Sequence, residues 1–350
     1  MQQPIRRTML PKATIHVVTG DAVARLSLSD GGPGDVETSL EGSGACCIAV
    51  DPIDPHRIYV GTFDDGLFAS RDAGATWEPA NDGLDDLRVL ALAVSRSHRS
   101  GGVSAIYAGT EPSNLYRSED GGRHWQRLPA LRELPSEPSW SFPGRPWTHH
   151  VRTIALHPTD PEIVLVGIEL GGVMRSTDAG ASWVDHNPQA HSDAHRMLTH
   201  PLAPDRVYEA AGQGIAVSDD SGSSWKPVEE GLDRHYAWAA AVDSDDPDLW
   251  YVAVSSGPFA AHGRGDGEAL IVRSTVDGWS PVAGWGDSPA LRRMPYALAT
   301  LPERPGTLVA GLRGGLLMLS EDQGDSWSRL QVELPDVVDI AASHAPVRDG

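Results

Sequence analysis

Apolar residues in this chain come in runs of about four to seven, separated by clusters of Gly, Pro, Asp and Ser. Between Cys46 and Ser70 the runs CCIAVDP, RIYVGT and GLFAS follow one another. Further on, TIALHPTDPEIVLVG is followed by GVMRS, and YALATLPERPGTLVAG by GLLMLS. Their alternation and β-branched content predict short strands joined by tight turns, and the same three-strand grammar recurs along the chain.

A polar motif punctuates the grammar. SRDAGATW begins at Ser70, SEDGGRHW at Ser118, STDAGASW at Ser176, SDDSGSSW at Ser218 and SEDQGDSW at Ser320. Each reads Ser-x-Asp-x-Gly-x-x-Trp. A shortened sixth copy, STVDGW, begins at Ser274. Ser and Asp side chains can bond the amides of a tight turn, Gly can take a positive φ, and Trp packs the turn onto its neighbours. These residues are expected to be scaffold.

The pattern resembles the Asp-box, or BNR repeat, of sialidase-like propellers, sortilin-type domains, xyloglucanase-type glycosidases and photosystem-assembly propellers. That resemblance covers nearly the whole chain and implies a β-propeller; it says little about function. Box starts at 70 and 320 lie five steps apart, giving about 50 residues per repeat and seven units in 350 residues. Six units, 44–335, carry boxes. The seventh is expected to combine IHVVTG, AVARLSL and VETSL (13–42) with DVVDIAAS (336–343). The expected architecture is therefore one all-β domain over 1–350, a seven-bladed propeller of four-stranded antiparallel blades closed by both termini.

Composition narrows the partners. A net charge of -20 disfavours nucleic acid and anionic membranes. No run approaches the roughly 18–20 apolar residues of a membrane span, and the first residues lack an apolar signal core, so the expectation is a cytoplasmic protein. The two cysteines, Cys46 and Cys47, are adjacent and are read as reduced core side chains.

In a four-stranded meander the A–B and C–D turns share one face, and the B–C loops and D-to-A crossings share the other. The boxes belong to the first face. The long irregular segments, 129–150, 185–195 and 256–269, belong to the second, where function is expected. Aligning the innermost strands places Arg152, His195, Trp238 and Tyr296 in register with Cys46 at the mouth of the channel. Two residues earlier come His150, Asp193, Tyr236 and Met294, with His149 and His235 beside them. Glu111 and Glu169 occupy equivalent B–C loops of neighbouring blades.

These residues support three readings. In the first, His150, His195 and His235 with Glu169 hold one divalent metal, and the mouth is a small-molecule hydrolase or lyase site. Arg152 and Tyr236 would assist, and His149, Asp193, Trp238, Tyr296 and Trp147 would bind ligand. In the second, the long-loop face is a non-catalytic docking surface for a protein, as in assembly-factor propellers. In the third, Glu111 and Glu169 are the carboxylate pair of a glycosidase, with Trp140, Trp147, Trp238 and Trp285 stacking on a sugar-like ligand. Sialidase activity is not expected. The Arg-Ile-Pro motif that the resemblance would require is missing, and RRMP at Arg292–Pro295 lies in the wrong part of the ring. Xyloglucanase-type enzymes pair two propellers, whereas this chain holds one.

Overall fold

In the computed structural model the predicted runs become strands, described over residues 13–29, 32–283 and 290–344. Seven antiparallel sheets are arranged as blades around a channel. Blade 1 comprises Ala45–Val50, Ile58–Thr62, Leu67–Ser70 and Glu78–Pro79, paired in that order. Blade 7 takes its innermost strand, Asp339–His344, from the end of the chain. Its other three, Ala13–Val18, Val23–Ser29 and Gly32–Ser39, come from the start. Val17↔Ile340 and Ile15↔Ala342 pairing closes the ring, as the sequence predicted. In blade 3 the outermost strand shrinks to a single bridge, Arg175↔Val184.

The five intact boxes fold alike. Ser70 Oγ accepts the Gly74 N–H at 2.8 Å and donates to Asp72 Oδ1 at 2.8 Å; that oxygen also accepts the Thr76 N–H at 2.8 Å. Two successive left-handed residues, Ala73 (φ 58) and Gly74 (φ 83), make the turn possible. The same serine bonds recur at Ser118, Ser176, Ser218 and Ser320. In the box at Ser176, hydrogen bonds from the Ser182 hydroxyl and amide hold the Asp178 carboxyl below its usual range.

The core lies between blades rather than in one central mass. One cluster joins Ile15, Leu26 and Ile340 of blade 7 to Val309 and Leu317 of blade 6. Neighbouring blades converge toward the axis, so the second strand must be thin where the next blade crosses it. Gly61, Gly109, Gly167 and Gly311 occupy that position in four blades, and Ala210 and Ala253 in two others. A Cβ on Gly61 would fall 2.4 Å from the Val89 carbonyl oxygen of the next blade.

At the channel end of the innermost strands the register slips. The ladder skips between Ala45 and Cys47, Val89 and Ala91, Val151 and Thr153, Ala194 and Arg196, Ala237 and Ala240, and Pro295 and Ala297. Each slip is a β-bulge that leaves an inner-strand residue unpaired and re-aims its side chain. The residues bypassed include Cys46, Leu90, Arg152, His195, Trp238 and Tyr296, and all six border the axial channel. Among the described residues no helix is long and apolar enough to cross a membrane.

Replacing Gly61 by valine should therefore cost about 1–3 kcal/mol, because a backbone oxygen cannot yield as a flexible side chain can. Urea unfolding would measure it; unchanged stability would show that the blades can part there.

Candidate functional site

The bulged ring forms the floor of a cavity of about 960 Å³ at the long-loop end of the channel. Cys46, Leu90, Arg152, Trp238 and Tyr296 border both this cavity and the narrower channel void below it. Its walls come from loops. Phe63 follows the second strand of blade 1, and Phe142 and His150 belong to the 129–150 crossing. Pro258 and Phe259 begin a one-turn helix, α1 (Pro258–His262).

The 129–150 crossing is fastened by charge. Arg145 Nε donates to Glu111 Oε1 at 2.8 Å, and Arg88 Nη1 reaches the same oxygen at 3.2 Å. The Arg145 guanidinium lies 5.1 Å from the Phe63 ring centre and 5.0 Å from that of Phe142. Helix α1 is fastened by Arg313, whose Nη1 donates to the carbonyls of His262 and Gly263 at 2.6 and 2.9 Å.

Segment 185–195 carries Asp193 and His195, and blade 4 holds it from behind. The Gly212 N–H donates to the Asp193 carbonyl at 2.9 Å, and the Asp193 N–H to Gln213 Oε1 at 3.1 Å. The His191 N–H donates to Glu209 Oε2 at 3.2 Å. Glu209 is wholly buried, occupying the strand position that Val60 takes in blade 1 and Val166 in blade 3. Burial pushes its carboxyl up to about 8, with only the His191 amide working against it.

At the cavity floor the ionisable groups converge. His150 Nε2 is 3.0 Å from Glu169 Oε2, so this nitrogen donates to the carboxylate. Burial alone would raise the Glu169 carboxyl, but the His150 hydrogen bond and charge, with the Arg152 charge, hold it down at about 2. Arg152 stacks over Trp238 at 4.6 Å, its Nε 3.7 Å from Glu169. His195 Nδ1 lies 2.7 Å from the Ala237 carbonyl oxygen. Its Nε2 is buried without a hydrogen-bond partner, 3.5 Å from Asp193 Oδ2. Glu169, Asp193 and His195 each offer a ligand atom, and the three atoms lie within 4.8 Å of one another.

Across the floor a second group forms. Tyr236 Oη is 2.6 Å from His262 Nε2, and His262 Nδ1 is 2.6 Å from Tyr296 Oη. Burial lowers the His262 imidazole to about 4. Burial, with the Asp193 and Glu169 charges, pushes the Tyr236 phenol up. A neutral imidazole has one donor and one acceptor nitrogen, so one phenol gives its proton to the ring while the other accepts. The trio is a hydrogen-bonded chain that fixes the orientation of both phenols.

The structure thus gathers Glu169, Arg152, His195, Asp193, Tyr236, Trp238, Tyr296 and His150 at one floor. Other expected residues sit elsewhere. His235 is exposed and outside the cluster of donor atoms, because it precedes the strand Tyr236–Val242 on the solvent side. Glu111 is ion-paired to Arg88 and Arg145, anchors a loop and does not border the cavity. His149 turns behind the crossing, against Trp140 and 3.6 Å from Glu137. Trp140 is buried in the core beneath it. Trp147 is 79% exposed and does not border the cavity. Trp285 lies outside the described residues. His262, Phe142 and Phe63 were not foreseen. The length of segment 256–269 was the available signal for His262, but nothing in one dimension says which loop residue turns inward.

No family model matches the chain. A xyloglucanase from a Paenibacillus species is 24% identical over 315 residues, covering 78% of this chain and 30% of that protein. A probable oligoxyloglucan-reducing end-specific xyloglucanase from Neosartorya fischeri is 23% identical over 221 residues, covering 52% of this chain and 27% of that protein. The chain thus spans no more than 30% of the length of these curated relatives. Among solved structures, the GH74 xyloglucanase from Xanthomonas campestris superposes with a TM-score of 0.63 at 19% identity, covering 82% of this chain and 45% of that one. A structure described as YCF48 bound to D1 peptide gives 0.59 at 16% identity, covering 93% and 85%. A functionally unknown protein from Desulfotomaculum acetoxidans gives 0.63 at 12% identity, covering 95% and 99%. At these identities the structural likeness is one of fold: the chain shares the propeller of these proteins.

One prediction concerns Glu209. Its pKa rises from the usual 4.5 to about 8 on folding, so the folded state holds a proton that the unfolded chain has released. Its contribution to stability is therefore greatest below about pH 4.5 and is lost as pH rises toward 8. Glu209→Gln keeps an acceptor for His191 without that dependence. The variant should gain stability over the parent between pH 5 and pH 8, by roughly 2–4 kcal/mol at the upper end. Parallel urea titrations at the two pH values would show it; a constant difference would mean that Glu209 is ionised where it lies.

Proposed function

We propose that the channel mouth is the active site of a hydrolase or lyase acting on a small, sugar-like molecule. The observation that carries this reading is the division of the cavity. Aromatic walls from Phe63 and Phe142 face a floor where Trp238, Arg152, Glu169, Asp193, His195 and the Tyr236–His262–Tyr296 trio converge. Aromatic faces suit the apolar faces of a sugar ring, and polar groups gathered at one end suit the bond to be broken. The similarity to xyloglucanases favours a carbohydrate.

The roles follow from environment. Glu169 stays anionic and can stabilise positive charge at the floor. It is a poor proton donor at neutral pH, because His150 and Arg152 favour its charged form. Tyr236 keeps its proton, because burial raises its phenol, so its hydroxyl stays available as a hydrogen-bond donor to the leaving oxygen. Arg152, 4.6 Å over the Trp238 ring and bordering the cavity, offers a guanidinium that can hold an acidic or hydroxyl group of the ligand.

A protein-docking role is the second reading. It is favoured by Trp147 and Phe259, 79% and 94% exposed on two separate long loops. The D1 peptide bound by the structurally similar YCF48 also favours it.

The test is a panel of oligosaccharides and nitrophenyl glycosides, including uronic acid members, followed by product chromatography and ligand-observed NMR. At least one member should bind and turn over. Glu169→Gln and Tyr236→Phe should each lower turnover by about 10²–10⁴-fold. Turnover unchanged in both variants, or no member bound at all, would overturn the proposal.

A further inference from the structure

The tautomer of His195 is fixed by its surroundings. A carbonyl oxygen only accepts, so the 2.7 Å contact with Ala237 requires the hydrogen on Nδ1. In the neutral ring, Nε2 then carries a lone pair. That atom is buried, has no hydrogen-bond partner and faces Asp193 and Glu169. Asp193 Oδ1 is likewise buried and unpartnered. A buried acceptor directed at two carboxylates has no donor to satisfy it and would be repelled by them; a cation among the three removes the conflict.

We infer that Glu169, Asp193 and His195 form a three-ligand centre for one divalent ion, zinc (borderline) or manganese (harder). The inference deepens the active-site reading and rests on it only for the ion's purpose. Two carboxylates with one imidazole suit such an ion better than a soft one. The 3.5 Å separation of His195 Nε2 and Asp193 Oδ2 is close to the edge of a coordination polyhedron with bonds of about 2.1 Å.

The surroundings are those of a ligand set. His195 donates its other N–H to a backbone carbonyl, and Glu169 accepts from His150; such contacts orient first ligands and fix the tautomer. The nitrogen of His150 nearest the cluster is the one that donates to Glu169, so His150 is a positioning residue and not a ligand. Each ligand comes from a rigid point. His195 is a bulge residue, Asp193 sits two residues before it on a segment bonded to Gly212, and Glu169 directly follows a strand. Three protein ligands at the floor of a cavity leave positions open toward it, as in catalytic rather than structural centres. An ion there would polarise a substrate oxygen beside Tyr236 and Arg152.

The test uses full-length, tag-free protein stripped with a chelator, and titrates Zn²⁺ and Mn²⁺ alone by calorimetry, with circular dichroism to confirm folding. One equivalent of at least one ion should bind. Affinity should fall at least about 100-fold in Asp193→Asn and in His195→Gln, and about 10–100-fold in His150→Gln. It should be unchanged in His235→Ala. Absence of binding, or equal affinity in folded Asp193→Asn and His195→Gln proteins, would overturn the inference. Metal binding without activity on any sugar would remove the carbohydrate reading alone, whereas sugar turnover by protein that binds no metal would remove the metal centre alone.

Discussion

A single backbone irregularity, repeated six times, determines what the channel mouth contains. In a regular innermost strand, side chains alternate between the two neighbouring blades, and few would face the axis. The β-bulge near each strand entry breaks that alternation. Cys46, Leu90, Arg152, His195, Trp238 and Tyr296 are among the residues it releases, and together they make the floor. The close approach of blades behind them, over Gly61, Gly109, Gly167 and Gly311, keeps that floor narrow enough for residues from different blades to interact.

The ring works because its chemistry is uneven. The blades carrying Cys46 and Leu90 contribute little charge. The next two contribute Arg152 and His195, with Glu169 and Asp193 supplied just above them. The two after that contribute Trp238 and Tyr296, with His262 and Tyr236 alongside. The mouth therefore has an ionic side and an aromatic, phenolic side within one cavity. In a chain of net charge -20, His150 and Arg152 keep Glu169 ionised locally. A polar ligand could thus be gripped on one side and stacked on the other.

Much of this was legible in the sequence. The Ser-x-Asp-x-Gly-x-x-Trp spacing gives the blade period, since the turn needs those atoms at those offsets. Apolar alternation gives the strands, and the unmatched pieces at both ends give the closing blade. Register alone placed Arg152, His195, Trp238 and Tyr296 together, because the innermost strands that carry them all bulge near the same point. What failed was inference about loops. Neighbouring residues there face opposite ways: His150 meets Glu169, while His149 turns to Trp140, and Tyr236 lines the cavity while His235 is in solvent. Glu111 and Glu169 are equivalent in register but not in partners, since Arg145 reaches only Glu111. His262 was hidden because a one-turn helix, fixed by Arg313 from the next blade, sets its direction. Such contacts join residues about 50 positions apart and leave no local pattern.

The most direct measurement of whether this ring is a working centre is anomalous diffraction from crystals of the intact protein grown with Mn²⁺ or Zn²⁺. A single strong peak at the channel mouth, bounded by His195 Nε2 and by carboxylate oxygens of Glu169 and Asp193, is the predicted result. A mouth with no peak, His195 Nε2 instead bonding Asp193 directly, would contradict it.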